Sequence, residues 1–256
     1  MSKWALILGG SSGIGLATAR KLGSNGFNLI VVHRDRRNEL ESIQSAFDEI
    51  TNQGTMFRSF NFDATNEDKI DELLPQILSA MKGEKVSLLI HSISRGNLKP
   101  LISGDLNLTP QDLNLTIDAM ATSLFTWVNK LVKNSVFDEN SQIVTLTSAG
   151  SHQYWPGYAA VGLAKSALET LSKYLAVEMA PLKIRVNCIQ AGITDTPSLK
   201  LIPGYEELKK LSAEKNPGKR MTKPEDVANA VYLLSLPEAD WINGSLIHVD
   251  GGEHLL

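Results

Sequence analysis

The chain has 256 residues, 43% of them hydrophobic and 21% charged, enough to bury the core of one α/β domain without requiring a second. A net charge of -3 and a pI near 6.0 exclude the global basic field that would hold nucleic acid. One cysteine, Cys188, excludes an intrachain disulfide framework and reads as a buried thiol in a reducing compartment.

The apolar run at 4–8 is too short for a signal peptide or a membrane span, so a soluble cytoplasmic protein is expected. Candidate strands occupy 4–8, 28–33, 55–61, 86–91, 142–147, 184–189 and 246–249. Helical patterns begin near Gly13, Asn38, Asn66, Thr109, Gly157 and Lys223. This alternation predicts a doubly wound α/β fold: a parallel sheet of about seven strands with helices on both faces, one Rossmann domain over 1–256. Residues 194–222 break the rhythm with Pro197, Pro203, Pro217, Gly204 and Gly218. They read as an inserted substrate lid with a short helix over 205–212. No metal site is read.

After the first strand comes Gly9-Gly10-Ser11-Ser12-Gly13-Ile14-Gly15. The glycines allow a tight turn and close approach of backbone to a pyrophosphate, whose charge meets the amides and dipole at the start of the next helix. A dinucleotide is therefore expected on Gly9, Ser11, Ser12, Gly13, Ile14 and Gly15. The second strand ends His33-Arg34-Asp35-Arg36-Arg37, with histidine in the slot where an NAD enzyme places its ribose-binding acid. The reading is NADPH, with Arg34 and a neighbouring arginine on the 2'-phosphate and His33 beside it. NADH stays open if the Asp35 carboxylate turns onto the ribose.

Tyr158 precedes Lys165 by seven residues, almost two helical turns, so both side chains can share one side of a helix. An ammonium close to a phenol favours its ionised form, making it a proton donor near neutral pH.

On these motifs the chain resembles the short-chain dehydrogenase/reductase family from Lys3 to Gly252. Asp63 and Ala64 match the segment that contacts adenine, and Val249-Asp250-Gly251-Gly252 matches the terminal motif. The departures resemble the enoyl-acyl carrier protein reductases, closest to the NADPH-dependent type III enzymes. Val161 stands in the common tyrosine slot and Tyr158 lies three residues earlier; His91-Ser92-Ile93 replaces Asn-Asn-Ala; Met120 stands near the slot of a helix asparagine.

That resemblance implies NADPH-dependent reduction of the trans-2 double bond of an enoyl thioester. Tyr158 would donate to the enolate oxygen, with Lys165 on the nicotinamide ribose and Ser148 assisting. Ser92, Ile93, Gly192, Thr194 and Thr196 would line the cofactor, and Ser94, Tyr154, Tyr158 and Leu199 the substrate. Hydride adds to the β-carbon while charge develops at the thioester oxygen, so a donor stepped along the helix suits the displaced oxyanion.

Between 199 and 223 seven cations stand against three acids, a patch that would suit an acidic acyl carrier protein. A homo-oligomer, tetramer or dimer, is implied through the helices starting near Thr109 and Gly157. Two alternatives remain: a carbonyl or 3-ketoacyl reductase with a shifted tyrosine, and a non-catalytic nucleotide-sensing module.

Overall fold

The computed structural model describes residues 3–52, 54–102 and 106–256. Seven parallel strands form one sheet: β1 (Lys3–Leu8), β2 (Phe27–His33), β3 (Phe57–Asn61), β4 (Val86–His91), β5 (Phe137–Ser148), β6 (Arg185–Ala191) and β7 (Leu246–Val249). Their spatial order is β3-β2-β1-β4-β5-β6-β7, so the direction of winding reverses between β1 and β4. A crevice opens there beyond the carboxyl ends of the strands, the place where open α/β sheets bind ligands.

The helices are α1 (Gly13–Gly23), α2 (Leu40–Thr51), α3 (Glu67–Ala80), α4 (Pro110–Ile117), α5 (Ser123–Lys133), α6 (Ala159–Glu178), α7 (Tyr205–Lys215) and α8 (Pro224–Leu234). Covering both faces of the sheet requires its strands to be apolar on both sides, and β1 shows how. Trp4, Leu6 and Leu8 enter the core shared with α3, α5 and α6, whereas Ala5 and Ile7 enter the core shared with α1, α2 and α8.

All seven expected strands form, β4 and β7 with the expected ends and the other five with shifted ones. β5 starts at Phe137 rather than 142, and its register against β4 slips between Val86 and Leu88. The third strand starts at Phe57 rather than 55, because Thr55 turns aside and donates its hydroxyl to the Gly23 carbonyl at 3.0 Å. The helix expected from Thr109 is interrupted: Asp118–Thr122 winds as one wider, π-type turn between α4 and α5. Thr122 and Ser123 both return their hydroxyls to that turn, onto the Asp118 and Ala119 carbonyls.

Trp127 fixes the α5 face to the loop behind β3. Its buried indole N–H donates to the Ala64 carbonyl at 2.8 Å. Trp127→Phe leaves that carbonyl buried and unpaired, so the urea unfolding midpoint should fall by an amount equivalent to roughly 1–3 kcal/mol.

Candidate active site

The glycine loop sits at the crevice. The main chain of β1 continues through Gly9, whose N–H donates to Val32, while Ser92 N–H donates to Leu8. Gly9 has φ +88°, and a Cβ there would lie 2.5 Å from the Ser92 carbonyl oxygen. Ser92 and Ile93 therefore lie against the loop. A Cβ on Gly15 would collide with the Gly9 carbonyl, so α1 begins directly on the turn. Ser12 caps α1 without any side-chain bond, and no acid occupies its first turn. The amides at this helix start thus have no capping side chain or first-turn acid among the described residues, which suits an anionic diphosphate. Thr196 stands opposite, with its methyl 3.1 Å from where a Cβ on Gly13 would be. The residues present fit a dinucleotide.

At the end of β2 the picture differs from expectation. The His33 ring is buried, edge-on to Phe47 at 5.4 Å, and its Nδ1 meets Asp35 Oδ2 at 2.7 Å. His33 is a core residue that holds Asp35, not a side chain free to contact a cofactor. Asn61 fixes the same turn by bonding both the N–H and the carbonyl of Asp35.

Arg34 is half-exposed and pairs with Asp63 at 2.9 Å, joined by Arg95 at 3.1 Å. Burial pushes the Asp63 carboxyl upward, but bonds from the Thr65 hydroxyl and amide, then the two arginines, hold it below its ordinary value. Ala64 is buried beside it and carries the carbonyl that Trp127 bonds.

Tyr158 stands just before α6 rather than inside it, as the residue that caps the helix start, and its carbonyl accepts from Gly162 N–H at 2.8 Å. Its phenol oxygen lies 3.2 Å from Ser148 Oγ at the end of β5. Gly150 lies against the ring: a Cβ there would overlap Cδ1 and Cε1 of Tyr158. The two expected hydroxyls are therefore brought together by the short turn Ala149–Ser151.

Lys165 is 6% exposed and donates to the Leu146 carbonyl at 2.7 Å. Burial pushes its ammonium down to about 8, against the raising effect of Cys188 and Glu169. The expected lowering of the Tyr158 phenol by this ammonium is not what acts on it. Burial raises the phenol above its ordinary value, with the Ser148 bond as the opposing influence.

Val161 and Met120 meet in one small apolar cluster with Ala119 and Ala164, and Tyr158 packs on its edge. A Cβ on Gly96 would lie 2.7 Å from Val161 and 3.2 Å from the Met120 sulfur, so the loop after β4 presses onto the same cluster. The two slots that hold tyrosine and asparagine in the common family pattern are thus one dry contact. His91, nearby on β4, donates through Nε2 to Ser123 Oγ at 2.8 Å, since that hydroxyl's own proton goes to the Ala119 carbonyl. Burial, then the Lys165 charge, pushes His91 down to about 3, so it is neutral, and its Nδ1 has no partner among the described residues.

The 194–222 segment crosses the site from β6. A Cβ on Gly192 would strike Thr222 Oγ1 and Asp250, and Thr194 pairs with Thr222 as a short bridge. Ser94 Oγ meets Ser198 Oγ at 2.7 Å, and Trp155 donates to the Pro203 carbonyl at 3.2 Å. Helix α7 runs three residues beyond the expected 212. Leu199 and Leu208 are buried, whereas Leu201 is 74% and Tyr154 88% exposed, so Tyr154 points to solvent rather than shaping a pocket wall. Four of the seven lid cations already have chain partners: Lys209 with Asp195, Lys210 with Glu214, Arg220 with Asp226, and Lys219 with the Glu214 carbonyl.

Three side chains that sequence reading passed over belong to this region. Glu169 is buried four residues after Lys165, with Thr147 Oγ1 at 2.6 Å and His152 Nε2 at 3.0 Å. An acid on the face of α6 that also carries Lys165 and Leu168 was the available signal. Among the described residues no cluster of three or more His, Cys, Asp and Glu could hold a metal ion, and no helix is long and apolar enough to cross a membrane.

A family model described as enoyl-(acyl carrier protein) reductase matches residues 9–254. The chain is 36% identical over 167 residues to an enoyl-[acyl-carrier-protein] reductase [NADH] of Enterococcus faecalis, covering 65% of this chain and 66% of that one. It is 31% identical to the Bacillus subtilis protein of the same name, over 93% of this chain and 89% of that one. A 3-oxoacyl-[acyl-carrier-protein] reductase of Staphylococcus epidermidis is 26% identical over all of both chains. Among solved structures, an enoyl-[acyl-carrier-protein] reductase (NADH) from Aquifex aeolicus superposes with a TM-score of 0.85 at 25% identity, over 99% of this chain and 97% of that one. The chain belongs to the enoyl-(acyl carrier protein) reductase family of the short-chain dehydrogenase/reductase superfamily, a superfamily of NAD(P)H-dependent oxidoreductases.

Proposed function

We propose that the protein reduces the trans-2 double bond of an enoyl thioester with NADPH. The observation that carries this reading is the joint displacement of the hydroxyl pair and filling of the vacated slots. Tyr158 and Ser148 stand 3.2 Å apart, while Val161 and Met120 make the ordinary donor position apolar. A donor at the start of α6, three residues before that position, favours an oxyanion two atoms removed from the carbon that gains hydride.

A bound nicotinamide supplies the hydride. Tyr158 then donates its hydroxyl to the thioester oxygen as charge collects there, with Ser148 as the second donor. The raised phenol remains protonated across the neutral range, so it acts as a donor throughout. Lys165, held on the Leu146 carbonyl two residues before Ser148, is the residue suited to the ribose hydroxyls.

Full-length similarity to a 3-oxoacyl reductase supports a second reading, ketone reduction by the same hydroxyl pair. Assays following nicotinamide absorbance with a trans-2-enoyl thioester and with a 3-ketoacyl thioester separate the two. Turnover of the enoyl substrate, reduced at least about 100-fold in Tyr158→Phe, is expected, within the usual range for one proton donor. Turnover of the ketoacyl substrate alone would replace the proposal by the second reading.

NADPH is favoured by the commitment of Asp35 to His33 and Asn61, which leaves Arg34 as the side chain best placed for a 2'-phosphate. Binding requires Arg34 to exchange Asp63 for phosphate. Arg34→Ala should weaken NADPH about tenfold and NADH little, measured by nucleotide fluorescence; equal losses would shift the assignment to NADH.

An acyl carrier protein as substrate carrier is supported by Lys200 and Lys215, which make no ion pair among the described residues. Cytoplasmic residence follows from the same reading. Helices α5 and α6 leave Phe125, Leu163, Tyr174 and Val177 between 50% and 75% exposed, which supports a homo-oligomer formed across them. Light scattering should give the mass of a dimer or tetramer, and Val177→Glu should lower it; a wild-type monomer would remove this part of the proposal.

A further inference from the structure

Two charged side chains of α6 are withdrawn from solvent together. Lys165 is 6% and Glu169 5% exposed, and their spacing of four residues places them on one helical face, with Cβ atoms about 5–6 Å apart. Burying an ammonium against a single peptide carbonyl, the Leu146 oxygen at 2.7 Å, leaves its full charge uncompensated.

The other groups facing Lys165 do not supply a negative charge. From β4, His91 is neutral. From β5, Thr145 and Thr147 present hydroxyls. From β6, the Cys188 thiol raises the lysine only in its ionised form, and burial pushes that thiol up to about 11, so its influence is absent where a lysine near 8 titrates. Further along α6, Lys173 is itself cationic and acts on Cys188, and Ser172 gives its proton to Leu168.

Glu169 alone on this face is an acid, and both its oxygens are fixed. Thr147, on the strand that ends at Ser148, donates to Oε1 at 2.6 Å. His152, half-exposed and just past the turn that covers Tyr158, meets Oε2 at 3.0 Å.

We infer that Glu169 is a positioning residue for Lys165: it is the buried counter-charge that holds the lysine as an ammonium under the reaction site, and Thr147 and His152 aim it. The carboxylate bonds two parts of the site, the end of β5 and the turn over Tyr158, and stands one helical turn from the lysine without a direct ion pair to it. The role in turnover rests on the reductase reading above; the electrostatic role does not. Loss of the negative charge lets the lysine surrender its proton at lower pH, since an opposite charge nearby favours the charged form and its removal withdraws that support.

The test is a pH titration of protein carrying 13Cε-labelled lysine, with the Lys165 signal assigned by Lys165→Met, run beside the pH profile of kcat/KM. Glu169→Gln keeps the shape and the acceptor for Thr147 but removes the charge. Its Lys165 midpoint should fall by about one unit or more, a tenfold loss of proton affinity, and the alkaline limb of kcat/KM should fall with it. Glu169→Asp keeps the charge and should retain most of the wild-type midpoint. Thr147→Val touches neither charge and should give a smaller fall in the same direction, so it decides the matter even where Glu169→Gln does not fold.

An unmoved Lys165 midpoint in Glu169→Gln and Thr147→Val would overturn the inference. So would a uniform drop in kcat with the alkaline limb unchanged, the mark of a merely structural role. A shifted midpoint in a protein that turns over neither thioester would uphold the electrostatic pairing while sinking the reductase reading.

Discussion

A strand covered on both faces has no wet side, and that restriction decides where this fold can keep polar chemistry. Along β1 alternate side chains enter two separate cores, and the same holds for its neighbours. Polar groups placed mid-strand must find partners inside the sheet sandwich: Thr145 with Ser172, Thr147 with Glu169, His91 with Ser123. Only past the carboxyl ends of the strands does backbone become free to meet a ligand. There the glycine loop, Ser92, Ser148 and Gly192 all lie, gathered by topology rather than by sequence proximity.

The wider turn at Asp118–Thr122 has its effect at this edge. It carries Met120 into contact with Val161 on α6, and Gly96 lets the loop after β4 close over both. The apolar substitution on one helix therefore has its complement on another. A polar residue restored at either position alone would face a methyl or a thioether and lose its hydrogen bond to burial.

The parallel sheet and most helix starts were legible because the alternation of short apolar runs with amphipathic ones and the glycine turns are local signals, and all seven strands formed near their expected places, whereas their spatial order came from the structure. The places of the glycine loop, Ser148 and Tyr158 in the fold were legible for the same reason, since each sits at an element boundary. His33 misled because its slot faces the core once Phe47 packs beside it, a contact between β2 and α2 that no local pattern announces. The pairing of Lys165 with Tyr158 was overread, since helical spacing gives the side of a helix but not the depth of a side chain. Lys165 turned to a strand carbonyl, and the buried Glu169 that accompanies it was indistinguishable in sequence from a solvated acid.

The segment from 194 to 222 is held unevenly. At its far end Ser212 donates to Glu253 and Asn216 to the Asp250 carbonyl, and Asn216 is buried. Thr194 at its start is buried and bridged to Thr222, but between 195 and 205 the ties are solvent-facing: Ser94 with Ser198, Trp155 with Pro203, Tyr205 with Asp195. Water competes for exposed hydrogen bonds and not for buried ones, so local opening costs least over 195–205. The residues just past β7, remote in sequence from the hydroxyl pair, are thus the anchorage of the segment that crosses the site, and Glu253 grips it from both sides, through Ser212 and through the Ile193 amide.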